Sequence, residues 1–397
     1  MDIHPGDDRG GPAPVTTLAS ADQVAQWFQA EFGTPAAGVW RAPGRANLIG
    51  EHTDYNHGFV FPFALDRGTL AAASPAGTGV LELSSRQVGS GTVTIPLAGL
   101  APGSVDGWAA YPAGVVWALG QAGYQLPGAR VAIDSDLPQG AGLSSSAALE
   151  CAVALALTEL AGLAVPRPEL AAMARRAENE FVGVPTGIMD QSAVLLGQAG
   201  HALLLDCCSG ESDNVPLDPA AAGLALLIID TRAEHRLTES GYAARHVECE
   251  EAARALGVRS LRDVPDLAAL AGLADPVLLR RARHVVTENQ RVLAMAELLR
   301  RGQVADGGRL LNESHASLRD DFEVSWPEAD VTVDAAVTAG ALGARMMGGG
   351  FGGSVLALVP ADSAAVRGAV CAAFAGRGWP EPGFLDAPPS ASAQRVG

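Results

Sequence analysis

Twelve consecutive residues, Gly44 to Tyr55, carry an unusual density of hydrogen-bonding side chains. They place a guanidinium, an imidazole, two carboxylates and a phenol inside an otherwise apolar, alanine-rich chain. Such groups are costly to bury unless each finds a partner, so the pattern favours a cleft where a polyhydroxylated or charged ligand completes the hydrogen bonds. The alternative is an exposed polar turn between strands.

A second segment, Gln139 to Ala148, combines glycines with three consecutive serines and leads into a very apolar stretch. Glycine lets the backbone approach a ligand closely, and the start of a helix presents unpaired amides to an anion. One serine could cap that helix while another faces a phosphate or a metal ion. The segment predicts a phosphate site, with an ordinary glycine loop as the alternative. A further glycine cluster, Gly348 to Gly353, is also compatible with a simple tight turn.

Asp190 follows Ile188 and Met189 after a Pro and Gly turn, which predicts a partly desolvated carboxylate. Burial favours the neutral acid unless a cation lies nearby, and Arg45 is the candidate cation. An Asp and Arg pair facing a hydroxyl would make a base that accepts a proton while the guanidinium stabilises charge on a transferring group. The alternative role for Asp190 is to cap the helix that follows it.

The composition excludes several chemistries. All 27 residues in the lysine and arginine count are arginine, so there is no lysine for a Schiff base, a P-loop or a protein-kinase strand. The net charge of -17 and the pI near 4.8 argue against nucleic acids and anionic membranes as partners, because both need basic patches. A small-molecule ligand remains.

The sequence also lacks signals for membrane insertion or secretion. No run approaches the about 18 apolar residues of a membrane span. The acidic N-terminal residues contain no basic start followed by an apolar block and are expected to form a loose leader. Five scattered cysteines without metal-ligand spacing suit reduced thiols. We therefore expect a cytoplasmic protein.

At 397 residues the chain exceeds the about 250 to 300 at which one core stops growing, so two domains with a cleft between them are expected. Strands and helices alternate in both halves, which indicates α/β or α+β layers. The predicted strands are 59–65, 69–73, 80–84, 92–95, 131–135, 203–205 and 224–229, the last two in a second sheet, with apolar segments bracketing a glycine turn in 345–359. The predicted helices are 21–32, 108–122, 143–160, 168–181, 240–256, 276–301, 303–317 and 331–339.

These motifs resemble those of the GHMP small-molecule kinases, and among them the galactokinase family. Residues 44–55 resemble the sugar signature of the family, and residues 138–148 resemble its ATP motif. Residues 187–191 resemble the segment that carries the catalytic base. Residues 311–321 and 345–353 resemble later blocks of the family. The resemblance implies an α+β fold of two GHMP kinase domains, 15–200 and 201–397, with the active site in the cleft between them. The first would be ribosomal-S5-like with an uncommon left-handed βαβ crossover, and the second ferredoxin-like.

The resemblance also implies roles by position. Asp190 would take the proton from the C1 hydroxyl of the sugar, and Arg45 would stabilise the transition state. The sugar site would be lined by Glu51, His52, Thr53, Asp54, Gly187 and Tyr242. The ATP cradle would comprise Gly140, Ala141, Gly142, Leu143, Ser144, Ser145 and Ser146, with Ser146 and Glu178 as ligands of Mg²⁺. The family uses no phosphate-loop lysine, in agreement with this chain.

The implied activity is transfer of the γ-phosphate of MgATP to the C1 hydroxyl of α-D-galactose by a monomer. The alternatives are a kinase for a related sugar, such as N-acetylgalactosamine or arabinose, and a catalytically silent galactose and ATP sensor. Silent relatives have a shortened ATP motif, whereas this one is complete through Ala147. Two departures from the family pattern, Met347 for a threonine and Trp326 for a smaller residue, are expected to alter packing or kinetics without abolishing activity.

Overall fold

The computed structural model of this protein describes residues 17–77, 79–138, 142–233 and 238–397. The predictions made for the acidic leader and for the loop residues Gln139, Gly140 and Ala141 therefore lie outside the described residues. Within the described ranges, no helix has the length and apolar character needed to span a membrane.

Thirteen strands and ten α-helices are found in the described parts of the chain. The strands are β1 (Gly38–Asn47), β2 (Phe59–Val60), β3 (Pro62–Ala76), β4 (Val80–Ser85), β5 (Gly89–Pro96), β6 (Gly128–Ser135), β7 (His201–Asp206), β8 (Ser212–Pro216), β9 (Leu224–Asp230), β10 (Gly343–Met347), β11 (Ser354–Pro360), β12 (Gly383–Asp386) and β13 (Gln394–Arg395). The helices are α1 (Ala21–Phe32), α2 (Ala110–Gln121), α3 (Ser145–Leu160), α4 (Arg167–Arg176), α5 (Met189–Leu196), α6 (Thr238–Leu256), α7 (Pro276–Arg300), α8 (Gly307–Asp320), α9 (Pro327–Thr338) and α10 (Ala364–Ala375).

The first half is organised around a six-stranded sheet with the order β13-β1-β3-β6-β4-β5. Alternate residues of a strand face opposite sides of a sheet. Trp40 and Ala71 therefore pack with the apolar helix α3 on one face, whereas Val39 and Leu70 pack with Phe28 of α1 on the other. Helix α3 is thus buried against the sheet, and its N-terminus is held in a fixed position.

The second half contains a four-stranded antiparallel sheet with the order β10-β11-β9-β12. Along the chain its elements run from β9 through helices α6 to α9, then β10, β11, α10 and β12. This is the β-α-β-β-α-β pattern of a ferredoxin-like domain, with several helices in the first crossover. The predicted ferredoxin-like architecture is confirmed, and the domain boundary at residues 200 and 201 stays a prediction.

Two strand predictions were wrong. The segments 59–65 and 69–73 do not form separate strands of that extent, because β3 runs unbroken from Pro62 to Ala76 and 59–60 belongs to another sheet. Gly68 lies within β3 and allows close backbone approach, since a Cβ there would lie 2.4 Å from Ala42 O. The segments 203–205 and 224–229 lie in different sheets, β2-β7-β8 and the four-stranded sheet, because short apolar runs carry no pairing signal.

One helix also ends earlier than predicted. The segment 168–181 forms α4 only as far as Arg176 and then continues as a π-helical turn, Ala177–Val182. Turns of this type inside helices are frequent at functional sites. Glu178 lies in this turn, which bears on the site described next.

Candidate active site

A β-bulge positions Arg45. The ladder between β1 and β3 pairs Pro43 with Gly68 and then shifts register before Arg45, so the irregularity falls at Gly44. A Cβ at residue 44 would lie 2.5 Å from Leu137 Cδ2, so only glycine fits there without displacing its neighbours. Bulges of this kind re-aim side chains next to active sites.

Arg45 and Asp190 form a bidentate pair. Arg45 Nε lies 2.8 Å from Asp190 Oδ1, and Arg45 Nη2 lies 2.9 Å from Oδ2. Arg45 Nη1 also donates to Gly142 O at 2.6 Å, so the guanidinium is held on two sides. The side chain of Arg45 is 7% exposed and that of Asp190 is 22% exposed, so the carboxylate is the member that a substrate can reach.

The structure thus brings together the two residues that the sequence analysis paired. Asp190 lies in the first turn of α5, but no side chain caps that helix, so the capping alternative finds no support. The catalytic roles of the two residues stay predictions at this point.

The described part of the predicted ATP cradle, Gly142 to Ser146, lies at the N-terminus of α3. Free amides at a helix start suit phosphate binding. Leu143 can contribute only its backbone to a ligand, because its side chain is buried with Leu137 and Met347. Ser144 has its hydroxyl hydrogen-bonded to Asp190 Oδ2. The cradle and the Arg45–Asp190 pair are therefore in direct contact.

Glu178 is buried in the π-helical turn and receives several donors. Gln191 Nε2 lies 2.8 Å and Thr186 Oγ1 3.1 Å from Glu178 Oε2, and the Ser146 hydroxyl also hydrogen-bonds this carboxylate. Burial raises the pKa of Glu178, and the hydrogen bond from Ser146 opposes that rise. The two residues predicted as metal ligands are therefore adjacent.

The same amide of Gln191 bridges to a second carboxyl group. Gln191 Nε2 lies 3.2 Å from Glu150 Oε2, and both residues are fully buried. Burial, reinforced by the charge of Glu178, raises the pKa of Glu150 well above its usual value. The sequence analysis missed Gln191 and Glu150, although an acid flanked by apolar residues in the first half of α3 is itself a signal, since buried acids are rare without partners.

The donor set around Glu178 fits a hard cation. No group of three or more His, Cys, Asp or Glu side chains that could hold a metal occurs among the described residues. Ser146 and Glu178 supply one hydroxyl and one carboxylate, which leaves other coordination positions to water and phosphate oxygens. Magnesium is usually bound in this way, through one or two carboxylates together with substrate phosphates.

His52 lies in the turn after β1 with a positive φ of 62°. Its Nδ1 is 2.9 Å from the hydroxyl of Tyr55, and its Nε2 is buried near the backbone of Gly349 without a partner of good hydrogen-bond geometry in the described residues. Burial lowers the pKa of His52 to about 3, so the imidazole is neutral. A buried nitrogen without a partner is a site that a ligand hydroxyl could satisfy.

Asp54 packs directly against Gly187. A Cβ on Gly187 would lie 1.7 Å from Asp54 Oδ2. Burial raises the pKa of Asp54 to about 6, the backbone amide of Tyr55 opposes the rise, and the charges of Asp190 and Glu51 add to it. Three carboxylates from two distant segments therefore converge here.

Glu51 links the sugar motif to the second half of the chain. Its carboxylate accepts from Asn47 Nδ2 at 3.0 Å and from Gly348 N at 2.8 Å, and it lies 3.1 Å from Arg345 Nη2. Arg345 is fully buried. The sequence analysis did not single out Arg345 as a site residue, although it is only three residues from the glycine cluster.

Thr53 and Tyr242 occupy different positions relative to the site. The Thr53 hydroxyl donates to Gly50 O at 2.8 Å and to Phe59 O at 2.6 Å, so its hydrogen is used within its own loop. Tyr242, from α6, has its ring centroid 5.5 Å from that of His52 and therefore lies beside the predicted sugar residues.

Helix α7, in the second half of the chain, supports the loop between β1 and β2, residues 48–58, which is called the sugar loop below. His284 Nε2 lies 3.1 Å from Glu51 O, and Glu288 Oε1 accepts from Gly50 N at 3.0 Å. Asn289 Oδ1 accepts at 2.8 Å from the backbone amide of Phe59, the first residue of β2. The sequence analysis missed these residues, because polar positions on a helix are usually solvated.

The two departures from the family pattern are buried. Met347 packs in the apolar cluster with Leu137 and Leu143, directly behind the ATP cradle. Trp326 is 7% exposed and donates from Nε1 to Thr231 Oγ1 at 3.2 Å. Both are packing residues here, and neither belongs to the set of predicted catalytic residues.

Three family models match the chain. Residues 26–75 match the galactokinase galactose-binding signature, 110–198 match the GHMP kinases N terminal domain, and 295–376 match the GHMP kinases C terminal model. The first match contains Arg45 and the sugar loop, the second contains Ser144 and Asp190, and the third contains Arg345.

The chain is similar to curated and solved galactokinases. The galactokinase of Streptomyces coelicolor is 50% identical over 383 residues, covering 95% of this chain and 99% of that protein. A galactokinase of Mycobacterium tuberculosis is 50% identical over 325 residues, covering 81% and 89%.

Two solved kinase structures superpose on this chain over most of its length. Lactococcus lactis galactokinase complexed with galactose superposes with a TM-score of 0.89 at 35% identity, covering 94% of this chain and 99% of that one. The mevalonate kinase of Methanococcus jannaschii, at 15% identity with a TM-score of 0.64 and coverage of 90% and 98%, shares the fold.

Proposed function

Because this chain belongs to the galactokinase family of the GHMP kinases, we propose that it transfers the γ-phosphate of MgATP to the C1 hydroxyl of α-D-galactose. The products are galactose 1-phosphate and ADP. The observation that carries the proposal is the bidentate pairing of Arg45 with Asp190 beside the loop that matches the galactose-binding signature.

Asp190 acts as the general base. Oδ2 accepts from two donors, Arg45 Nη2 and the Ser144 hydroxyl, whereas Oδ1 accepts from Arg45 Nε alone within the described residues. Oδ1 therefore has room for the C1 hydroxyl of the sugar. As the O–H bond breaks, its proton passes to Asp190, the sugar oxygen bonds to the γ-phosphorus, and the bond to the bridging oxygen breaks to release ADP.

Arg45 acts by charge and position. Phosphoryl transfer needs little covalent help from a protein, so alignment of the reactants and stabilisation of charge supply most of the acceleration. The guanidinium keeps Asp190 oriented and lies where it can neutralise charge on the transferring group. Since the chain has no lysine, Arg45 takes a role that many kinases give to an ammonium group.

Nucleotide binding is assigned to the start of α3. The amides of Gly142 to Ser146, with Gly140 and Ala141 from the sequence prediction, would bind the phosphates. Ser146 and Glu178 would hold Mg²⁺, which when bound neutralises phosphate charge as a Lewis acid. The hydroxyl of Ser146 and the carboxylate of Glu178 are adjacent and are both oxygen ligands, which supports this assignment.

Sugar recognition is assigned to the loop around Asp54. The Asp54 carboxylate and the buried Nε2 of the neutral His52 are the groups best placed to form hydrogen bonds with sugar hydroxyls. Gly187 and Tyr242 border the same space, and Glu51 shapes it through Arg345. Thr53 supports the loop and would contact a sugar only through other atoms.

We also propose the setting in which the protein works. All five cysteines are free thiols, which supports a reducing cytoplasm. The net charge of -17 supports an enzyme that acts without nucleic-acid or membrane partners, and we propose a monomer with domains 15–200 and 201–397.

A sugar panel with MgATP, monitored by ADP release, tests the proposal. Galactose should give the highest kcat/KM, above N-acetylgalactosamine, arabinose and glucose, and an Asp190→Asn variant should lose turnover while still binding ATP. A higher kcat/KM for another sugar would reassign the substrate. Binding of galactose and ATP without ADP release would instead indicate a sensor, and near-normal turnover by Asp190→Asn would remove Asp190 from its role.

A further inference from the structure

Ser144 is held in an unfavourable backbone conformation. Its φ of 57° and ψ of 51° lie in the left-handed region, which non-glycine residues seldom adopt. Strain of this kind persists only where the surrounding structure enforces it, and it concentrates at functional sites. The glycine-rich segment just before it makes a glycine at this position a plausible alternative, yet the chain has serine.

The side chain of Ser144 also does not cap its helix, as a serine at this position usually does. Ser144 is the N-cap residue of α3, where a serine side chain normally accepts a hydrogen bond from a free helix amide. Its side chain forms no such bond. By contrast, Ser20 at the N-cap of α1 accepts from Gln23 N in a full capping box. The hydroxyl of Ser144 is therefore directed elsewhere.

That hydroxyl donates to Asp190 Oδ2, the oxygen that also accepts from Arg45 Nη2 at 2.9 Å. Oδ2 thus has two donors, whereas Oδ1 has one among the described residues, Arg45 Nε at 2.8 Å. Ser144 makes the two oxygens of the carboxylate unequal. The more open oxygen is the one that can receive a proton from a substrate.

The residues next to Ser144 contact the same pair. Gly142 O accepts from Arg45 Nη1 at 2.6 Å, and Leu143 O accepts from Arg45 N at 3.2 Å. Three consecutive residues, 142 to 144, therefore make polar contacts with Arg45 or Asp190. A segment expected to serve the nucleotide is thus also part of the frame around the base.

We propose that Ser144 is a positioning residue for Asp190, whose hydroxyl fixes the carboxylate so that Oδ1 faces the reacting hydroxyl of the sugar. The proposal rests on the proposed function and assigns this hydroxyl to the proton-transfer side of the site. Loss of the hydroxyl should therefore leave the carboxylate less well oriented, which lowers kcat without weakening nucleotide binding.

The test compares Ser144→Gly with Ser20→Gly. Glycine accepts the left-handed backbone, so Ser144→Gly removes the hydroxyl without adding strain, and Ser20→Gly removes a hydroxyl from a matched N-cap far from the site. We expect kcat of Ser144→Gly to fall about tenfold. The KM for galactose and the Kd for ADP should both stay within about twofold, so that the loss falls on kcat. Ser20→Gly should change none of these.

A weaker ADP affinity with an unchanged kcat would overturn the proposal, because the hydroxyl would then belong to the nucleotide site. Unchanged kinetics would overturn it as well. If thermal denaturation shows that Ser144→Gly does not fold, Ser144→Asn replaces it, since asparagine tolerates the left-handed region and its amide can donate to Asp190. That variant should retain a kcat close to the parent's, and a kcat about tenfold lower despite the amide donor would contradict the proposal.

The unmodified enzyme is assayed on the sugar panel in parallel. If it phosphorylates another sugar, the proposed substrate fails, and the Ser144 variants are measured with the sugar that is turned over. If it releases no ADP with any sugar, the proposed function and the positioning role fail together. The two failures are distinguishable because the panel uses the unmodified chain alone.

Discussion

The carboxylate of Asp54 occupies the space that a side chain at residue 187 would need. A Cβ on Gly187 would lie 1.7 Å from Oδ2 and 2.4 Å from Cγ of Asp54. The sugar loop and the segment leading to Asp190 therefore touch at a point where no atom can be added. This contact sets the distance between the carboxylate proposed to bind the sugar and the one proposed as the base.

Gly187→Ala should therefore impair sugar use more than nucleotide use. The added methyl group must displace Asp54, and a shift of about 1 Å in a positioning group can cost up to about a hundredfold in rate. We expect kcat/KM for galactose to fall about 10- to 100-fold with little change in KM for ATP. Steady-state kinetics in both substrates give the answer. Gly368→Ala in α10 is the control, since a Cβ there meets nothing within 4 Å and alanine favours a helix. Equal losses in both variants would contradict the explanation.

Asp54 should make stability depend on pH. Burial raises its pKa from 3.8 to about 6, so the fold favours the neutral acid. Its contribution to stability is present below pH about 4 and is lost as the pH rises through about 6. Asp54→Asn removes the cost of ionisation and should raise the free energy of unfolding by about 3 kcal/mol at pH 7.5.

The advantage of Asp54→Asn over the parent should shrink toward pH 4, and its affinity for galactose should fall at pH 7.5. Urea denaturation at several pH values and galactose titration by calorimetry measure the two effects. A stability difference that does not vary with pH would show that folding does not raise the pKa of Asp54.

The chemistry of the site was predictable where residue types complement each other. A desolvated aspartate and an arginine in a polar motif require partners, so Arg45 and Asp190 could be paired although 145 positions separate them. Local signals also placed α1, where Ser20 and Gln23 form a capping box. Such features follow from groups whose needs are evident in the sequence.

The supporting contacts could not be predicted in this way. Arg345 reaches Asn47 O across 298 positions, and Glu288 reaches Gly50 N across 238. Nothing local distinguishes Glu288 from an exposed acid on α7, because its partner is a backbone amide in the other half of the chain. Likewise, the continuity of β3 through Gly68 depends on close packing against Ala42 of β1, a contact between separate segments.

Arg45→Lys should show that geometry matters beyond charge. Lysine supplies one ammonium group and cannot form the paired bonds to Asp190 together with the bond to Gly142 O. We expect kcat to fall by about 10² to 10³ with a smaller effect on the Kd for ATP. Arg377→Lys, at an exposed position, controls for introducing lysine into a chain that has none. If a single positive charge were sufficient, Arg45→Lys would retain a near-normal kcat.

Gln191→Leu should weaken both the fold and the proposed metal site, because one amide hydrogen-bonds two buried carboxyl groups. Gln191 Nε2 lies 2.8 Å from Glu178 and 3.2 Å from Glu150, and leucine has similar volume but no donor. Leaving buried acceptors without a donor costs about 1 to 3 kcal/mol, so unfolding in urea should occur at a lower concentration.

Glu178 in this variant would still hydrogen-bond Ser146 and Thr186 but would lose its orientation relative to them. The Mg²⁺ concentration for half-maximal activity should therefore rise about 10- to 100-fold, and calorimetric binding of Mn²⁺ in the presence of ADP should weaken in parallel. Gln198→Leu, at an exposed position seven residues further on, provides the matched control. A destabilised Gln191→Leu protein with unchanged Mn²⁺ affinity would show that Gln191 contributes to packing alone. It would then follow either that Glu178 does not bind the metal ion or that Ser146 and Thr186 are enough to orient it.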